Sequence, residues 1–339
     1  MEGDMQLKPL LDVRNLTTIF DTPKGPLRAV DGVSFTVERG KSHGIVGESG
    51  SGKSVLVRTI MNLLPSTASV TPDATVYFGG KDISTMTAEE KQHLWGPQIS
   101  MIFQDPMTAL NPVRKIGAQI ADPQRFHLGR SKRAAWENAA DLLAQVGISD
   151  PRRRLDQYPH ELSGGMRQRV MIAIAIGCEP DLLIADEPTT ALDVTVQRQI
   201  LDLLSVLQRD RDMGMILITH DLGVVARHTD DVSVMYAGQL VESAPTRVLF
   251  RHMRHRYTSA LFRSTPRIDA APHSRLFTIA GRPPDLLHPP SGCRFAPRCN
   301  HVLVDCARTP KYELIDGTHR LACHNPNASI LTDQGEGTP

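Results

Sequence analysis

The chain has 339 residues, 40% of them hydrophobic, and its 38 Lys and Arg nearly cancel its 37 Asp and Glu, for a formal net charge of +1. That length buries a large core and fits one big domain with an extension, or two domains. The balanced charge leaves no electrostatic footprint for nucleic acid, and 5% aromatic residues leave little for base-stacking surfaces. The longest apolar stretch, Val170 to Cys178, is too short to cross a bilayer and contains a glycine. Met1 to Leu10 is polar and lacks the apolar segment of a signal peptide, so a cytoplasmic chain is expected. There, five cysteines favour metal or free thiols over disulfides.

In chain order, Leu10 to Thr18 and Val30 to Val37 are predicted strands joined by the turn-rich segment Asp21 to Pro26. Phe20 closes the first strand; it suits stacking on adenine, and a core Phe is the plain alternative. Ser42 to Val46 is predicted as a short buried strand and Ser54 to Leu63 as a helix. Between them runs Gly47-Glu48-Ser49-Gly50-Ser51-Gly52-Lys53-Ser54, which fits the G-x-x-x-x-G-K-[ST] phosphate loop at every fixed position. Glycines let the backbone take left-handed angles and turn its N–H groups inward as an anion cradle. Lys53 reaches β- and γ-phosphates, Ser54 holds Mg²⁺, and the phosphates sit on a helix N-terminus.

Ala74 to Phe78 with Gly79-Gly80 is a further strand and turn, and Ile99 to Phe103 another strand. Gln104 follows directly; at a strand end it suits contact with a metal ion or water, and a loop Gln is the plain alternative. Asp105-Pro106 and Asn111-Pro112 then break the chain. Ile116 to Ala121 and Ala134 to Val146 are predicted helices, the second stopped by Gly147. Arg152 to Arg154 is a basic run on a solvated face. Leu162-Ser163-Gly164-Gly165-Met166 opens a helix running to Ile176, with Ser163 as N-cap. Capping does not need two glycines, and bare backbone at a helix N-terminus suits a second anion site, with a plain capped helix as the alternative.

Leu182 to Ala185 is a buried strand that delivers Asp186 and Glu187 to its carboxyl end, where open α/β sheets bind ligands. Asp186 suits Mg²⁺ and Glu187 a general base. Met215 to Ile218 ends in Thr219-His220-Asp221. Four distant elements thus put Lys53, Gln104, Glu187 and His220 at one expected sheet edge. Val232 to Tyr236, the turn Ala237-Gly238 and Gln239 to Glu242 form a closing hairpin. Past Arg251, the cluster His252, Arg254, His255 and Arg256 is expected to be a polar linker. The Pro-rich remainder is expected to be an extension that does not continue the sheet. No internal repeat is present, so there is one nucleotide cassette. The tail holds Cys293, Cys299, Cys306 and Cys323, spaced C-x₅-C-x₆-C-x₁₆-C. Four thiolates suit Zn²⁺ or an iron–sulfur cluster; close C-x₂₋₄-C pairs are absent, and wider loops suit the larger cluster. Cys178 is far away in sequence and is not expected among the ligands.

The ordered set of Gly47 to Ser54, Gln104, Leu162 to Met166, Asp186-Glu187, Leu192-Asp193 and His220 resembles the ATP-binding-cassette ATPases over roughly Leu10 to Phe250. The spellings from Phe103 to Pro112, Tyr158 to Arg169 and Thr189 to Thr195, with His255-Arg256-Tyr257-Thr258 and the Cys-rich end, are similar to the D-type ATPase subunits of oligopeptide/dipeptide importers. The resemblance implies an α/β P-loop NTPase (RecA-like) core with an antiparallel β subdomain and a helical subdomain at about 105–165. It puts the cassette at 1–255 and an irregular Cys-rich extension at 256–339. It implies ATP on Phe20 and on Gly47, Glu48, Ser49, Gly50, Ser51, Gly52, Lys53 and Ser54. Mg²⁺ is held through Ser54, Gln104 and Asp186. Catalysis falls to Glu187, His220 and Gln104. Ser163, Gly164, Gly165 and Gln168, with Asp193 in the D-loop, serve ATP on the opposite subunit of a head-to-tail dimer; Met166 replaces the commoner Gln.

Implied partners are a second ATPase subunit, two transmembrane permease subunits and an extracytoplasmic peptide-binding protein, with the chain peripheral at the cytoplasmic face of the membrane. The cysteine pattern implies a 4Fe–4S cluster, with zinc as the alternative. Nickel, glutathione and sugars are alternative solutes. A soluble non-transport cassette is a second class, against which stand the single cassette and the missing coiled-coil insertion. A regulator sensing redox state or metal through its tail is a third.

Overall fold

A computed structural model describes residues 8–190, 192–265 and 277–328. Leu11–Thr22 (β1) and Gly25–Val37 (β2) are long strands turned by only two residues. Phe20 therefore lies inside β1 and not at its end. The Thr22 hydroxyl donates to Gly25 O at 2.7 Å, and Gly25 takes φ +118, which closes a tighter turn than the composition suggested. Ser42–Val46 (β3) is buried throughout. Lys53–Ile60 (α1) stops short of Leu63 because Asn62 is left-handed, with φ 54. Three strands that are short or were missed follow: Ala68–Val70 (β4), Thr75–Phe78 (β5) and Lys81–Asp82 (β6). β4 pairs antiparallel with β1, Phe20 opposite Ala68.

Ala88–Leu94 (α2) starts on a Thr87/Glu90 capping box. Ile99–Ile102 (β7) leaves Phe103 outside the strand and exposed. A helical stretch follows: Pro106–Ala109 (α3), Ile116–Leu128 (α4), Lys132–Gln145 (α5), Pro151–Arg154 (α6) and Gly164–Ile176 (α7). α4 outruns its predicted end at Ala121 and carries Pro123 internally, since Ile116, Ile120 and Gln124 stay buried along one face. The remaining elements are Leu182–Asp186 (β8), Val194–Asp210 (α8), Gly214–Thr219 (β9), Leu222–His228 (α9), Asp231–Tyr236 (β10), Gln239–Pro245 (β11), Thr246–Arg251 (α10), Arg256–Arg263 (α11), Glu313–Asp316 (β12) and His319–Leu321 (β13). Among the described residues no helix is long and apolar enough to cross a membrane.

The chain divides into two compact units, each assembled from distant segments. The first takes residues 8–12, Thr36–Ser42 and Tyr77–Ile218. In it β7, β8 and β9 run parallel, with Ile99 beside Leu182 and Leu182 beside Gly214. Leu182 to Ala185 are fully buried, the continuous apolar run of a strand covered on both faces. Helices α4, α5 and α7 pack on one another.

The second unit takes Val13–Phe35, His43–Val76 and the described residues from Thr219 onward. β10 runs parallel to β3, and β11 returns antiparallel through Ala237 and Gly238, both at positive φ. Two expectations fail here. The extension does continue the sheet: β13 pairs with β11, Glu242 opposite Leu321, and β12 pairs with β13. The edge of β11 offers free backbone groups, and Ala322 N–H takes Val241 O at 2.9 Å. Nor is the basic cluster a loose linker. The fully buried Glu242 carboxylate accepts the N–H groups of Arg254 at 2.6 Å and His255 at 3.1 Å, and His319 Nε2 lies 2.8 Å from it. A buried carboxylate with three donors overrides the local polarity of the segment. The apolar core of this unit joins Val46, Val232, Val234, Tyr236 and Tyr257 to Phe295 of the tail.

Candidate functional site

In the second unit the chain leaves β3 at Val46 and reaches α1 through the phosphate loop. Glycine is required sterically at two positions. A Cβ on Gly47 would stand 2.1 Å from Met235 O, and one on Gly52, at φ +104, 2.3 Å from Ala29 O. Lys53 is 5% exposed, and its Nζ donates to Gly47 O at 2.8 Å and Glu48 O at 3.0 Å, which holds the ammonium over the loop. The Ser51 hydroxyl is buried without a hydrogen-bond partner among the described residues. A bare-backbone turn, a held cation, an orphaned hydroxyl and a helix N-terminus together suit an anion with several oxygens. Phe20 is half-buried on β1 of the same unit, and His220 is exposed just after β9. Asp221 caps α9 with its side chain.

The first unit brings Gln104 and Glu187 together. β8 ends in Asp186, fully buried, and Glu187 turns left-handed at φ 46 with its N–H on Ile218 O at 3.0 Å. Its Oε2 accepts Gln104 Nε2 at 2.9 Å and Thr190 Oγ1 at 2.9 Å. Two donors on one oxygen fix the carboxylate at the mouth of the strand. Thr190 was missed as a partner; a hydroxyl three residues past the acid was the available signal. In the same unit Ser163 caps α7, accepting Met166 N–H at 3.3 Å, and Ser163 and Gly164 are exposed. A Cβ on Gly165 would sit 2.8 Å from Val196 Cγ1, so the second glycine lets α7 approach α8. Gln168 is buried, and Asp193 caps α8 by accepting Val196 N–H at 3.0 Å.

The tail cysteines are free thiols. Cys293 N–H donates to Cys306 O at 2.9 Å. Burial raises the Cys293 thiol, as do Cys306 and Cys299; burial raises Cys323 too, with Cys293 and Cys299 adding to it. Among the described residues no group of three or more His, Cys, Asp or Glu is placed to hold a metal ion. The expected 4Fe–4S or zinc site gains no support from this geometry. Cys178 is buried in the first unit, its thiol pushed up to about 11 by burial.

Residues 30–190 match the family model described as ABC transporter, and 241–306 that described as oligopeptide/dipeptide transporter, C-terminal region. The chain is 48% identical over 318 residues to the dipeptide transport ATP-binding protein DppD of Bacillus subtilis, across 94% of this chain and 95% of that one. It is 48% identical over 305 residues to the oligopeptide transport ATP-binding protein OppD of Haemophilus influenzae, across 90% and 94%. Among solved structures it is similar to the dimeric post-hydrolysis state of the ATP-binding cassette MJ0796 bound to ADP and Pi. There the TM-score is 0.63 and the identity 25%, over 70% of this chain and 99% of that one.

Proposed function

The chain belongs to the ATP-binding-cassette transporter ATPases, in their oligopeptide/dipeptide branch, and from that premise we propose that it is the ATP-hydrolysing subunit of a peptide importer. The observation that carries the reading is the phosphate loop, with Lys53 held over a backbone cradle that admits no Cβ at Gly47 or Gly52. In this reading Gly47 to Ser54 seat the phosphates of ATP and Phe20 stacks on its adenine. Ser54, Gln104 and Asp186 would hold Mg²⁺, whose charge would offset that of the β- and γ-phosphates when bound. Glu187 is the general base that takes a proton from the attacking water. Its support is a carboxylate already oriented by Gln104 and Thr190. His220 stabilises the γ-phosphate.

Ser163, Gly164, Gly165, Gln168 and Asp193 act on ATP held by the opposite subunit of a sandwich dimer. The exposure of Ser163 and Gly164 supports this, as does the dimeric state of the similar MJ0796 cassette. The paired subunit is a distinct ATPase. Two permease subunits and a peptide-binding protein complete the assembly, with this chain peripheral at the cytoplasmic face of the membrane. Support for the permease contact is the exposure of three apolar side chains of the first unit: Met107, Val113 and Phe126 are 60%, 80% and 71% exposed. Phe126 also lines a cavity of about 440 Å³ together with Ala109 and Ile174 and the polar Asn111, Arg114 and Asp122.

The domain reading is a cassette over 1–255, with its helical part at about 105–165, and an extension over 256–339. For that extension the proposed group is a 4Fe–4S cluster on Cys293, Cys299, Cys306 and Cys323, with zinc as the alternative. Its support is the C-x₅-C-x₆-C-x₁₆-C pattern of the tail. The thiols as placed do not converge on a metal, and no step here passes through one.

The test of the seat is titration of the full chain with a fluorescent ATP analogue. Lys53→Ala is expected to abolish saturable binding that the parent chain shows. Equal affinity in the two proteins would refute the assignment.

A further inference from the structure

The C-terminal extension holds the phosphate loop from outside, near its start and at its middle. Glu48, the second residue of the loop, is gripped at three points. Its N–H donates to the Tyr257 hydroxyl at 2.8 Å, its carbonyl accepts Lys53 Nζ at 3.0 Å, and its carboxylate meets Arg298. The Arg298 contact is bidentate, 2.8 Å from Nη1 to Oε2 and 3.2 Å from Nη2 to Oε1. Such a fork–fork pair fixes direction as well as distance. The guanidinium is 5% exposed and is itself pinned: Nε donates to Ala280 O at 3.0 Å, and Nη1 reaches the Tyr236 hydroxyl at 3.3 Å.

Arg298 closes a short turn, Ala296–Arg298, which Phe295 anchors in the apolar core. Four residues earlier, Arg294 is 9% exposed and donates to Ala237 O and to Asp31. Ala237 belongs to the β10–β11 turn, and the next residue, Gly238, donates its N–H to Ser51 O at 2.8 Å. One arginine thus holds the loop at Glu48 and the other, through the turn, at Ser51. Pro283, Pro284 and Leu286 of the same tail line a small cavity against Glu48, Ser49, Gly50 and Ser51.

We infer that Arg298, assisted by Arg294, is a positioning residue for the phosphate loop, so that the extension sets the affinity of the cassette for nucleotide. The physical reason is preorganisation. An anion cradle works by pointing several N–H groups at one place, and a loop already fixed by the tail loses less conformational entropy when phosphate arrives. The inference rests on the reading of Gly47 to Ser54 as the ATP seat.

The experiment is a double-mutant cycle on the full chain, with ATP affinity read by fluorescent-nucleotide titration. Arg298→Ala and Glu48→Ala are each expected to weaken ATP about tenfold, and the double variant to be no weaker than either alone. Arg298→Lys, which keeps the charge but loses the fork, is expected to fall between Arg298→Ala and the parent. Thermal midpoints without nucleotide separate loss of positioning from loss of fold. If Arg298→Ala does not fold, Arg298→Lys, which keeps a cation opposite the Glu48 carboxylate, decides: affinity below the parent's supports the inference and affinity equal to it overturns it. Unchanged affinity in both single variants, or strictly additive losses in the double, overturns the inference. A parent chain that binds no ATP overturns the seat itself, and with it this inference.

Discussion

Replacing Glu242 by Leu tests the account of the tail's attachment. The carboxylate is fully buried and serves the N–H groups of Arg254 and His255, with His319 Nε2 at 2.8 Å. Leucine fits the volume but leaves both N–H groups without their acceptor, that of His255 fully buried. An unsatisfied buried donor costs about 1–3 kcal/mol, so the two N–H groups together cost about 2–6 kcal/mol. The added apolar burial returns about 1 kcal/mol, so the net loss is about 3 kcal/mol. At roughly 2–4 °C per kcal/mol, the transition of the second unit is expected to fall by about 6–12 °C. Calorimetry of the full chain reads that shift. Limited trypsin digestion gives a second reading, since Arg254 and Arg256 become cleavable when the strand loosens from β11. Glu242→Gln, which keeps one acceptor oxygen, is expected to lose about half as much. A midpoint within about 1 °C of the parent, with unchanged digestion, would refute the buried carboxylate as the tail's anchor.

Burial pushes His43 and His255 down to about 4, against 6.5 when exposed, and for His255 it outweighs the nearby Glu242. Both are neutral in the folded chain, and only the unfolded chain takes up their protons between pH 6.5 and 4. Stability is therefore fully present above 6.5 and declines as pH falls through that window, by up to about 1.4 kcal/mol per pH unit for each group. His43→Asn is expected to flatten that slope by roughly half; an unchanged slope in chemical denaturation would count against it. Ser163→Arg puts a bulky cation at the N-terminus of α7. It is expected to spare ATP binding to the isolated chain while cutting hydrolysis by the assembled dimer; loss of binding in isolation would place the signature in cis. For the tail, anaerobic purification is expected to give a brown protein that loses its colour in a Cys306→Ala, Cys323→Ala variant. A colourless protein with stoichiometric zinc would remove the cluster.

What was legible in the sequence was local. The phosphate loop is eight contiguous residues, and its glycines are dictated by backbone sterics, so spacing alone locates it. Asp186-Glu187 was legible because a fully apolar strand ends on the pair. Partners beyond the local window were not. Gln104 and Glu187, 83 residues apart, were expected at one sheet edge, but their direct hydrogen bond and the Thr190 hydroxyl that joins it were not. Glu48 and Arg298 are separated by 250 residues, and an arginine in a Pro-rich stretch looks like solvated charge until the fold buries it. The tail strands failed for a related reason. Glu313–Asp316 and His319–Leu321 have weak alternation of their own and become strands because β11 presents an edge.

The role proposed for Glu187 is to take the proton from the attacking water. ATP hydrolysis by the Glu187→Gln chain, assembled with its ATPase and permease partners, tests it most directly. The amide keeps the size and the hydrogen bonding of the site but cannot accept the proton. ATP binding is expected to stay close to that of the parent and hydrolysis to fall by about 10²–10⁴-fold, the span for loss of a general base. Hydrolysis at the parent rate would contradict it.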